Sequence, residues 1–268
     1  MARVRPGEAA NPAPPTVVRV RIRFAKRGRL RFLSHRDVAR SFERAIRRAG
    51  VPVAHSHGFN PHPRLSWVGA APTGAASEAE YVEIGLTRPM EPGPLVAALD
   101  AALPAGIDVL AAAIGEPPPL AERIDASRWT IELPGVAPAQ LRAALDALLA
   151  ADTVVVERIT PGGRRQVDVR AALVDAEVSA RAPGGGVVES GVAASSAAAP
   201  APHCAIMSAV VRQLTPAVRP DDVLSALDLV AGLVPPVPAK ATRTAQGLLD
   251  DRGDLVDPLG AVRVTARG

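Results

Sequence analysis

The sequence predicts an α+β fold in which a ferredoxin-like (split βαβ) N-terminal domain is followed by a second, smaller α+β domain of similar type. Three observations support this prediction. Over residues 17–115, segments with the alternation of strands and segments with the period of amphipathic helices occur in the order β-α-β-β-α-β. The proline-rich stretch EPPPLAERIDAS indicates a linker at 116–127, and a partly similar order returns over 128–234. The length of 268 residues is sufficient for two domains.

The first predicted element is a basic strand that follows an N-terminal tail, residues 1–16. The tail is rich in alanine and proline, and we expect it to be disordered. The next stretch, TVVRVRIRFAKRGRLRFL, alternates Val, Ile or Phe with Arg in two arms separated by AKRG. This pattern predicts a half-buried strand or hairpin with a basic outer face.

The first helix is predicted at SHRDVARSFERAIRRAG, residues 34–50. Ser34 is a good N-cap, with Asp37 three residues later, and Gly50 provides a C-terminal stop. At 100° per residue the helix has an apolar side and an arginine side. The apolar side consists of Val38, Phe42, Ala45, Ile46 and Ala49, and the arginine side of Arg36, Arg40, Arg44, Arg47 and Arg48.

The remaining elements follow from the same periodicities. The first domain continues with strands at VPVAHS, RLSWVGAAP and AEYVEIGL, a helix at PGPLVAALDAAL and a strand at IDVLAAAIG. The second domain has a strand at RWTIELPG, a helix at APAQLRAALDALLAA, strands at TVVVERI, RQVDVRAALVDAEV and HCAIMSAVV, and a helix at RPDDVLSALDLVAG. The low-complexity stretch at 182–202 predicts a mobile loop, and residues 235–268, without firm periodicity, are expected to be a C-terminal tail.

Charge is distributed unevenly along the chain. Residues 1–64 contain 15 Lys and Arg against 3 Asp and Glu, a net charge of +12, and since the whole chain carries +4, the remaining residues carry −8. A basic segment on an acidic body favours an anionic partner, which can be RNA, DNA or an acidic protein surface.

Composition excludes several classes of protein. Apolar runs are too short for a membrane span, and the N-terminus lacks the apolar region of a secretory signal, so we expect a cytoplasmic protein with no membrane partner. Cys204 is the single cysteine, which excludes an internal disulfide framework and a cysteine-held iron–sulfur cluster. The sequence contains no G-x-S-x-G, P-loop or G-x-G-x-x-G motif.

The stretch HSHGFNPHPRLSW, residues 55–67, allows three interpretations. His55, His57 and His62, with His35 nearby, are possible zinc or iron ligands, but the stretch has no acidic or thiol ligand. His35 or His62 beside a serine is a possible general acid or base. The favoured interpretation is a rigid presenting turn, because Gly58 permits positive φ and Pro61 and Pro63 restrict the backbone.

Arginines next to aromatic side chains favour unpaired RNA, whose phosphates are neutralised and whose bases stack. Phe59 and Trp67 flank the turn, although either is equally compatible with a core position. We expect the basic helix, the basic strand or hairpin and the turn to converge on one groove. The candidate nucleic-acid contacts are Lys26, Arg27, Arg29, Arg31, Arg36, Arg40, Arg44, Arg47, Phe59, Asn60, His62 and Arg64. No catalytic residue, metal ligand or cofactor is assigned.

Several motifs resemble those of a known family. SHRD, RAIRRAGVP, GFNPHP and SEAEYVEI in the first domain, and RPDDVL later, are similar to the bacterial radical SAM-linked family known as domain of unknown function 2344. The similarity covers most of residues 17–245. It departs at His55 and His57, where the family commonly has Tyr and Gln, which leaves His35 and His62 as the motif histidines.

The resemblance implies a partner rather than an activity. Members have no established biochemical activity. They are typically fused to, or encoded beside, a radical SAM protein, and their neighbouring genes often concern ribosomes and RNA processing. This chain lacks a C-x-x-x-C-x-x-C motif. The resemblance therefore implies a free-standing, non-catalytic partner of a separately encoded radical SAM protein, and with the basic groove it predicts binding of tRNA or rRNA. Two alternatives stay open: a module that docks the radical SAM partner without RNA contact, and a metal-independent RNA-processing or modifying enzyme that uses His35 or His62.

Overall fold

The structure, a computed structural model, describes residues 14–57, 60–160, 162–180, 204–260 and 263–265. The chain divides into two compact units, the first comprising residues 1–124 and 256–268 and the second residues 125–255. Both are mixed α/β units in which antiparallel strands predominate and helices are few. No helix in the described ranges is long and apolar enough to cross a membrane. The predicted loop at 182–202 and most of the predicted N-terminal tail lie outside the described residues.

The secondary-structure elements are as follows. Residues up to 124 form β1 (Val18–Lys26), α1 (His35–Arg48), β2 (Leu65–Val68), β3 (Ala76–Leu86), α2 (Pro92–Ala102) and β4 (Val109–Ile114), with 3-10 helices at Gly28–Phe32 and Leu120–Arg123. Later residues form β5 (Ala126–Pro134), α3 (Pro138–Ala150), β6 (Val155–Thr160), β7 (Gly163–Asp168), α4 (Val169–Ala172), β8 (Leu173–Ala180), β9 (Cys204–Arg212), α5 (Pro220–Ala231), β10 (Lys240–Leu249), β11 (Leu255–Val256) and β12 (Val264–Thr265).

The sheet of the first unit has the order β12-β4-β1-β3, with β2 also paired to β3. The pairs of this sheet are antiparallel, and Ile22 at the centre of β1 lies opposite Val82 of β3 and Ala112 of β4. One face of the sheet carries the main core, in which Ile22 and Phe24 pack with Phe42 of α1 and Leu99 of α2. The two helices therefore cover one face, as amphipathic helices on a sheet do.

The stretch predicted as a strand or hairpin is one strand followed by a 3-10 helix, so the hairpin alternative is wrong. Leu30 and Leu33 pack against the core. Three residues complete one turn of a 3-10 helix, so this spacing brings both leucines to the same side. A strand would instead point residues three apart to opposite faces.

The arginines of the basic outer face predicted for β1 are bonded within their own unit, and Arg21 is also buried. Arg21 is 3 % exposed, and its Nε donates to Glu83 at 3.0 Å while its Nη2 donates to two backbone carbonyls at 2.6 Å. Arg19 also donates to Glu83, at 3.0 Å, and Arg23 donates to the backbone carbonyl of Glu78 at 2.8 Å. These arginines pair with Glu83 or donate hydrogen bonds to backbone carbonyls of their own unit, and for the buried Arg21 such partners offset the cost of burying a charge.

The sheet of the second unit has the order β10-β5-β9-β8, again with antiparallel pairs. Two predictions need correction here. The stretch 165–178, predicted as one strand, is interrupted by α4, whose N-cap Asp168 accepts a hydrogen bond from the backbone N–H of Ala171. The segment after residue 235, predicted as a tail, contains the ten-residue strand β10, which pairs with β5.

Candidate nucleic-acid interface

Helix α1 has the boundaries and the two faces that the sequence predicts. The Ser34 hydroxyl accepts a hydrogen bond from the backbone N–H of Asp37 at 3.3 Å, and Gly50 has a φ of 62°, which favours glycine after a helix. Val38, Ser41, Phe42, Ala45 and Ile46 are buried. The predicted helix is therefore confirmed, with its apolar side against the sheet.

Aromatic rings fix α1 to the sheet. The Phe42 ring lies 4.7 Å from that of Phe24 in β1 and 5.2 Å from that of Trp67 in β2, measured between centroids. Trp67 also meets His35, the first residue of α1, edge to face at 5.3 Å. The start of α1 therefore lies beside β2, the strand that leaves the histidine-rich turn. Trp67 acts here as an anchor, which leaves it poorly placed to stack on a ligand.

The other side of α1 is a surface that we call the arginine face. It consists of the exposed residues Arg36, Arg40, Arg44, Arg47 and Arg48. In the described part of the chain, Arg40 lies 3.8 Å from a carboxylate oxygen of Asp37, and the other four form no ion pair. Arg44 donates to the Ser41 hydroxyl at 3.1 Å. These charges are thus available to an external anion, in contrast to those of β1.

Asp37, in the first turn of α1, supports the start of the helix. The Ser34 hydroxyl donates to a carboxylate oxygen of Asp37 at 2.6 Å, and this bond is the largest cause that lowers the pKa of Asp37 below its ordinary value. Arg40 and Arg36 lower the pKa further by their charge. Asp37 therefore stays ionised at the positive end of the helix dipole.

Lys26 and Arg27 are engaged within the first unit. Lys26 is 2 % exposed, and its ammonium donates to the carbonyls of Ala71 and Pro72 at 3.2 and 3.4 Å. Arg27 forms ion pairs with Glu78 and with Asp108, the latter at 2.7 Å. The hydrogen bond to Glu78 is the largest cause that raises the pKa of Arg27. Burial leaves the Lys26 ammonium no route to a phosphate, so the candidate interface depends on the other cations.

The 3-10 helix before α1 exposes an aromatic ring that the alternating pattern of the sequence does not predict. Arg29 is exposed, Arg31 is half-buried, and the guanidinium carbon of Arg31 lies 4.6 Å from the ring centroid of Phe32. Phe32 is 58 % exposed. The sequence feature that could have predicted this exposure is the three-residue spacing of Leu30 and Leu33. This spacing favours a 3-10 helix, in which Phe32 lies outside the core.

The histidine-rich turn is closed by hydrogen bonds between its two sides. The Ser56 backbone N–H donates to the His62 carbonyl at 2.8 Å, and the His62 backbone N–H donates to the Ser56 hydroxyl at 3.0 Å. Asn60 and His62 are exposed, as is Arg64, whose Nε donates to the His55 carbonyl at 3.3 Å. Gly58 and Phe59 lie outside the described residues. These hydrogen bonds fit a turn that holds polar side chains toward solvent.

The contacts of His35 and His62 bear on the metal and acid–base interpretations of the sequence. Across the described ranges, no group of three or more His, Cys, Asp and Glu side chains could hold a metal ion. His35 contacts the edge of Trp67, and the described polar contacts of His62 are made by its backbone. Among the described residues, neither the His35 nor the His62 side chain forms a hydrogen bond or ion pair with a carboxylate or a serine hydroxyl.

Comparison with known proteins adds a family. The model of the family described as "Uncharacterized protein conserved in bacteria (DUF2344)" matches residues 19–220. No curated protein matches the chain. The matched range includes α1, the 3-10 helix before it and the histidine-rich turn, so every candidate contact lies inside it.

Proposed function

The chain belongs to the DUF2344 family of bacterial proteins, and we propose a function for it from the structure, because the description of that family names no activity. In this proposal the arginine face binds the phosphate backbone of RNA. The supporting observation is the contrast between two sets of arginines in one unit. Those of β1 are all bonded to groups of their own unit, although Arg19 is exposed, whereas four of the five on α1 form no ion pair within the described residues. A row of solvated guanidinium groups is the surface that a phosphate backbone requires.

We also infer a ferredoxin-like fold for the first unit. The order β4-β1-β3-β2, with antiparallel pairs and with helices between β1 and β2 and between β3 and β4, supports this inference. The second unit supports a similar inference, because β10-β5-β9-β8 is the same order when the hairpin β6-β7 and α4 are treated as an insertion.

The biological partner is a further proposal. The motifs GFNPHP and RPDDVL resemble those of the radical SAM-linked family, and on this resemblance we propose that the chain presents tRNA or rRNA to a separately encoded radical SAM protein. In this role the chain supplies the binding surface and the partner supplies the chemistry. Co-purification of RNA and of a radical SAM protein with the tagged chain tests the two parts separately.

The triple variant Arg40→Ala, Arg44→Ala and Arg47→Ala tests RNA binding directly. Affinity for RNA should fall, and the slope of log K against log salt should flatten by about 0.7 to 0.9 for each phosphate that the variant no longer binds. The fold should persist, because exposed substitutions usually change the free energy of unfolding by about 0.5 kcal/mol or less. Filter binding over a salt series, with a melting curve for each variant, provides the measurement.

A matched control removes the same charge from the second unit. Arg142, Arg164 and Arg165 are exposed, and their change to Ala lowers the net charge of the chain equally. We expect this control to retain most of the affinity and the slope. An equal loss of affinity in both triple variants would mean that net charge rather than the arginine face binds RNA. If the wild-type protein binds RNA no better than a charge-matched protein, the proposal fails and docking of a protein partner takes its place.

A further inference from the structure

Phe32 is the most exposed aromatic side chain among the residues that the structure describes. The sequence has four Phe, two Trp and one Tyr. Among the described aromatic residues, Phe24, Phe42, Tyr81 and Trp129 are at most 5 % exposed and Trp67 lies half-buried against Phe24, whereas Phe32 is 58 % exposed. Single apolar side chains are common at protein surfaces, and Ile159, Leu229 and Val234 are more exposed than Phe32. The case for Phe32 therefore rests on its aromatic ring and on the arginine that lies over it.

The backbone around Phe32 holds the ring outward. Leu30 and Leu33, on either side, pack against the main core of the first unit and anchor the 3-10 helix. The backbone N–H of Gly74 donates to the Arg31 carbonyl at 2.9 Å, which ties the same helix to a neighbouring loop. Phe32 is therefore presented from a fixed backbone, at the entry to α1.

One cation lies directly on this ring. The Arg31 guanidinium lies over the ring at 4.6 Å, and Arg29 and Arg36, the latter on the arginine face, are exposed nearby in the sequence. An aromatic ring beside arginines suits a ligand that offers a flat π-face and a phosphate in the same unit, which is a nucleotide. In a duplex the bases already stack on one another, so the ring fits a base that is unpaired.

We propose that Phe32 is a stacking platform for an unpaired RNA base, and that the arginine face binds the phosphates that follow it. This inference rests on the proposed function and narrows it, because it assigns single-stranded or looped RNA as the ligand in preference to a continuous duplex. The base stacks on the exposed area of the ring, and Arg31 supplies a cation next to the adjoining phosphate.

Three variants at this position separate stacking from bulk. Phe32→Ala and Phe32→Leu both remove the ring, and Leu keeps an apolar side chain of similar reach, whereas Phe32→Trp keeps an aromatic face. The probes are a uridine oligonucleotide of about 10 nucleotides, which is within the usual site size, a duplex of equal length and an abasic oligonucleotide. Melting curves verify that each variant is folded.

We expect Phe32→Ala and Phe32→Leu to weaken binding of the uridine oligonucleotide by about 5- to 150-fold, with the salt slope unchanged, because these changes remove a stacking interaction and keep the phosphates bound. Phe32→Trp should bind as well as wild type, and its additional tryptophan fluorescence should be quenched by the oligonucleotide. Binding of the duplex and of the abasic oligonucleotide should be equal in all four proteins.

The outcomes distinguish this inference from the proposed function. If the triple arginine variant loses affinity while Phe32→Ala and Phe32→Leu bind all three probes like wild type, RNA binding stands and the stacking platform is overturned. A loss of affinity with Phe32→Leu that is equal for the abasic and uridine oligonucleotides also overturns it, since no base is then involved. Absence of binding by the wild-type protein to any probe overturns both proposals.

Discussion

Whether an arginine of this chain is buried and paired or exposed to solvent depends on which acidic groups the fold brings near it. Arg21 and Arg40 are both surrounded by other arginines in the sequence, yet Arg21 is 3 % exposed and bonded to Glu83, whereas the Arg40 side chain is 61 % exposed. Glu83 lies 62 positions from Arg21 along the chain. Local pattern therefore cannot distinguish a structural from a solvated arginine in a strand, although helical phase distinguishes them in α1.

A core prediction at the same scale concerns Phe42. Its side chain is fully buried and contacts the rings of Phe24 and Trp67 at 4.7 and 5.2 Å. Phe42→Ala should lower the free energy of unfolding by about 3 to 5 kcal/mol, because it removes buried area and leaves a cavity between two aromatic rings. Chemical denaturation followed by circular dichroism provides the measurement.

The control for Phe42 is on the same helix. Arg40→Ala changes an exposed residue of α1 and should alter the free energy of unfolding by about 0.5 kcal/mol or less. If Phe42→Ala were as mild as Arg40→Ala, the apolar side of α1 would not face the core, and the arginine face would lose its geometric basis.

At the scale of elements, the sequence predicts best where local signals agree. Helix α1 combines a cap, a stop and a single apolar side, and its observed bounds differ from the predicted ones by only one or two residues. Strand β10 has none of these signals, because its most buried positions include Arg243 and Gln246. Arg243 lies over the Trp129 ring at 5.5 Å, and Gln246 accepts a hydrogen bond from Gln213 at 3.2 Å. Hydrophobic periodicity cannot detect a strand whose inward positions are polar.

Part of the candidate site can be predicted from the sequence, and part depends on the tertiary fold. The exposed arginines of α1 follow from helical phase, and their exposure agrees with it. The enclosure of Lys26 depends on carbonyls at Ala71 and Pro72, which only the tertiary fold brings near. The exposure of Phe32 is not predicted, because the sequence pattern continues the strand through the 3-10 helix. In such a strand Phe32 would share the buried side with Leu30.

The start of α1 provides a test at this scale. Ser34→Ala removes the acceptor for the Asp37 N–H and the hydroxyl that donates to the Asp37 carboxylate. The free energy of unfolding should fall by about 0.5 to 2 kcal/mol, and the pKa of Asp37 should rise toward its ordinary value. Because the pKa of Asp37 is lower in the folded than in the unfolded state, its ionised carboxylate stabilises the folded protein at pH values above the unfolded-state pKa. This stabilisation is lost as the pH falls through the folded-state pKa. The Asp37 contribution to the difference between wild type and variant should therefore shrink in acid.

Titration of Asp37 by NMR, together with melting curves at neutral and acidic pH, measures both effects. Ser34→Thr keeps a hydroxyl and serves as the control, with a smaller change expected in each quantity. An Asp37 titration curve that is the same in wild type and Ser34→Ala would contradict the role of the Ser34 hydroxyl.

Across the whole molecule, charge separates the two units. The second unit, residues 125–255, has 12 Lys and Arg against 15 Asp and Glu, a net charge of −3. Since the whole chain carries +4, the first unit carries +7, and its positive charge is concentrated in residues 1–64, which carry +12. Several basic residues of the second unit also form ion pairs within it; for example, Arg158 donates a hydrogen bond to Asp222 at 2.7 Å. An RNA strand should therefore be attracted to the first unit and weakly repelled by the second.

This separation predicts where RNA crosslinks. Ultraviolet crosslinking of the full chain to the uridine oligonucleotide, followed by mass spectrometry, should place most modified peptides within residues 27–64, which include the 3-10 helix, α1 and the histidine-rich turn. Increasing salt should reduce these crosslinks together, because all depend on the same phosphate contacts. The triple arginine variant should lose them, and the matched triple variant of the second unit should keep them. Crosslinks that lie mainly within residues 125–255 in the wild-type protein would contradict the charge argument, since they would place the RNA on the acidic unit.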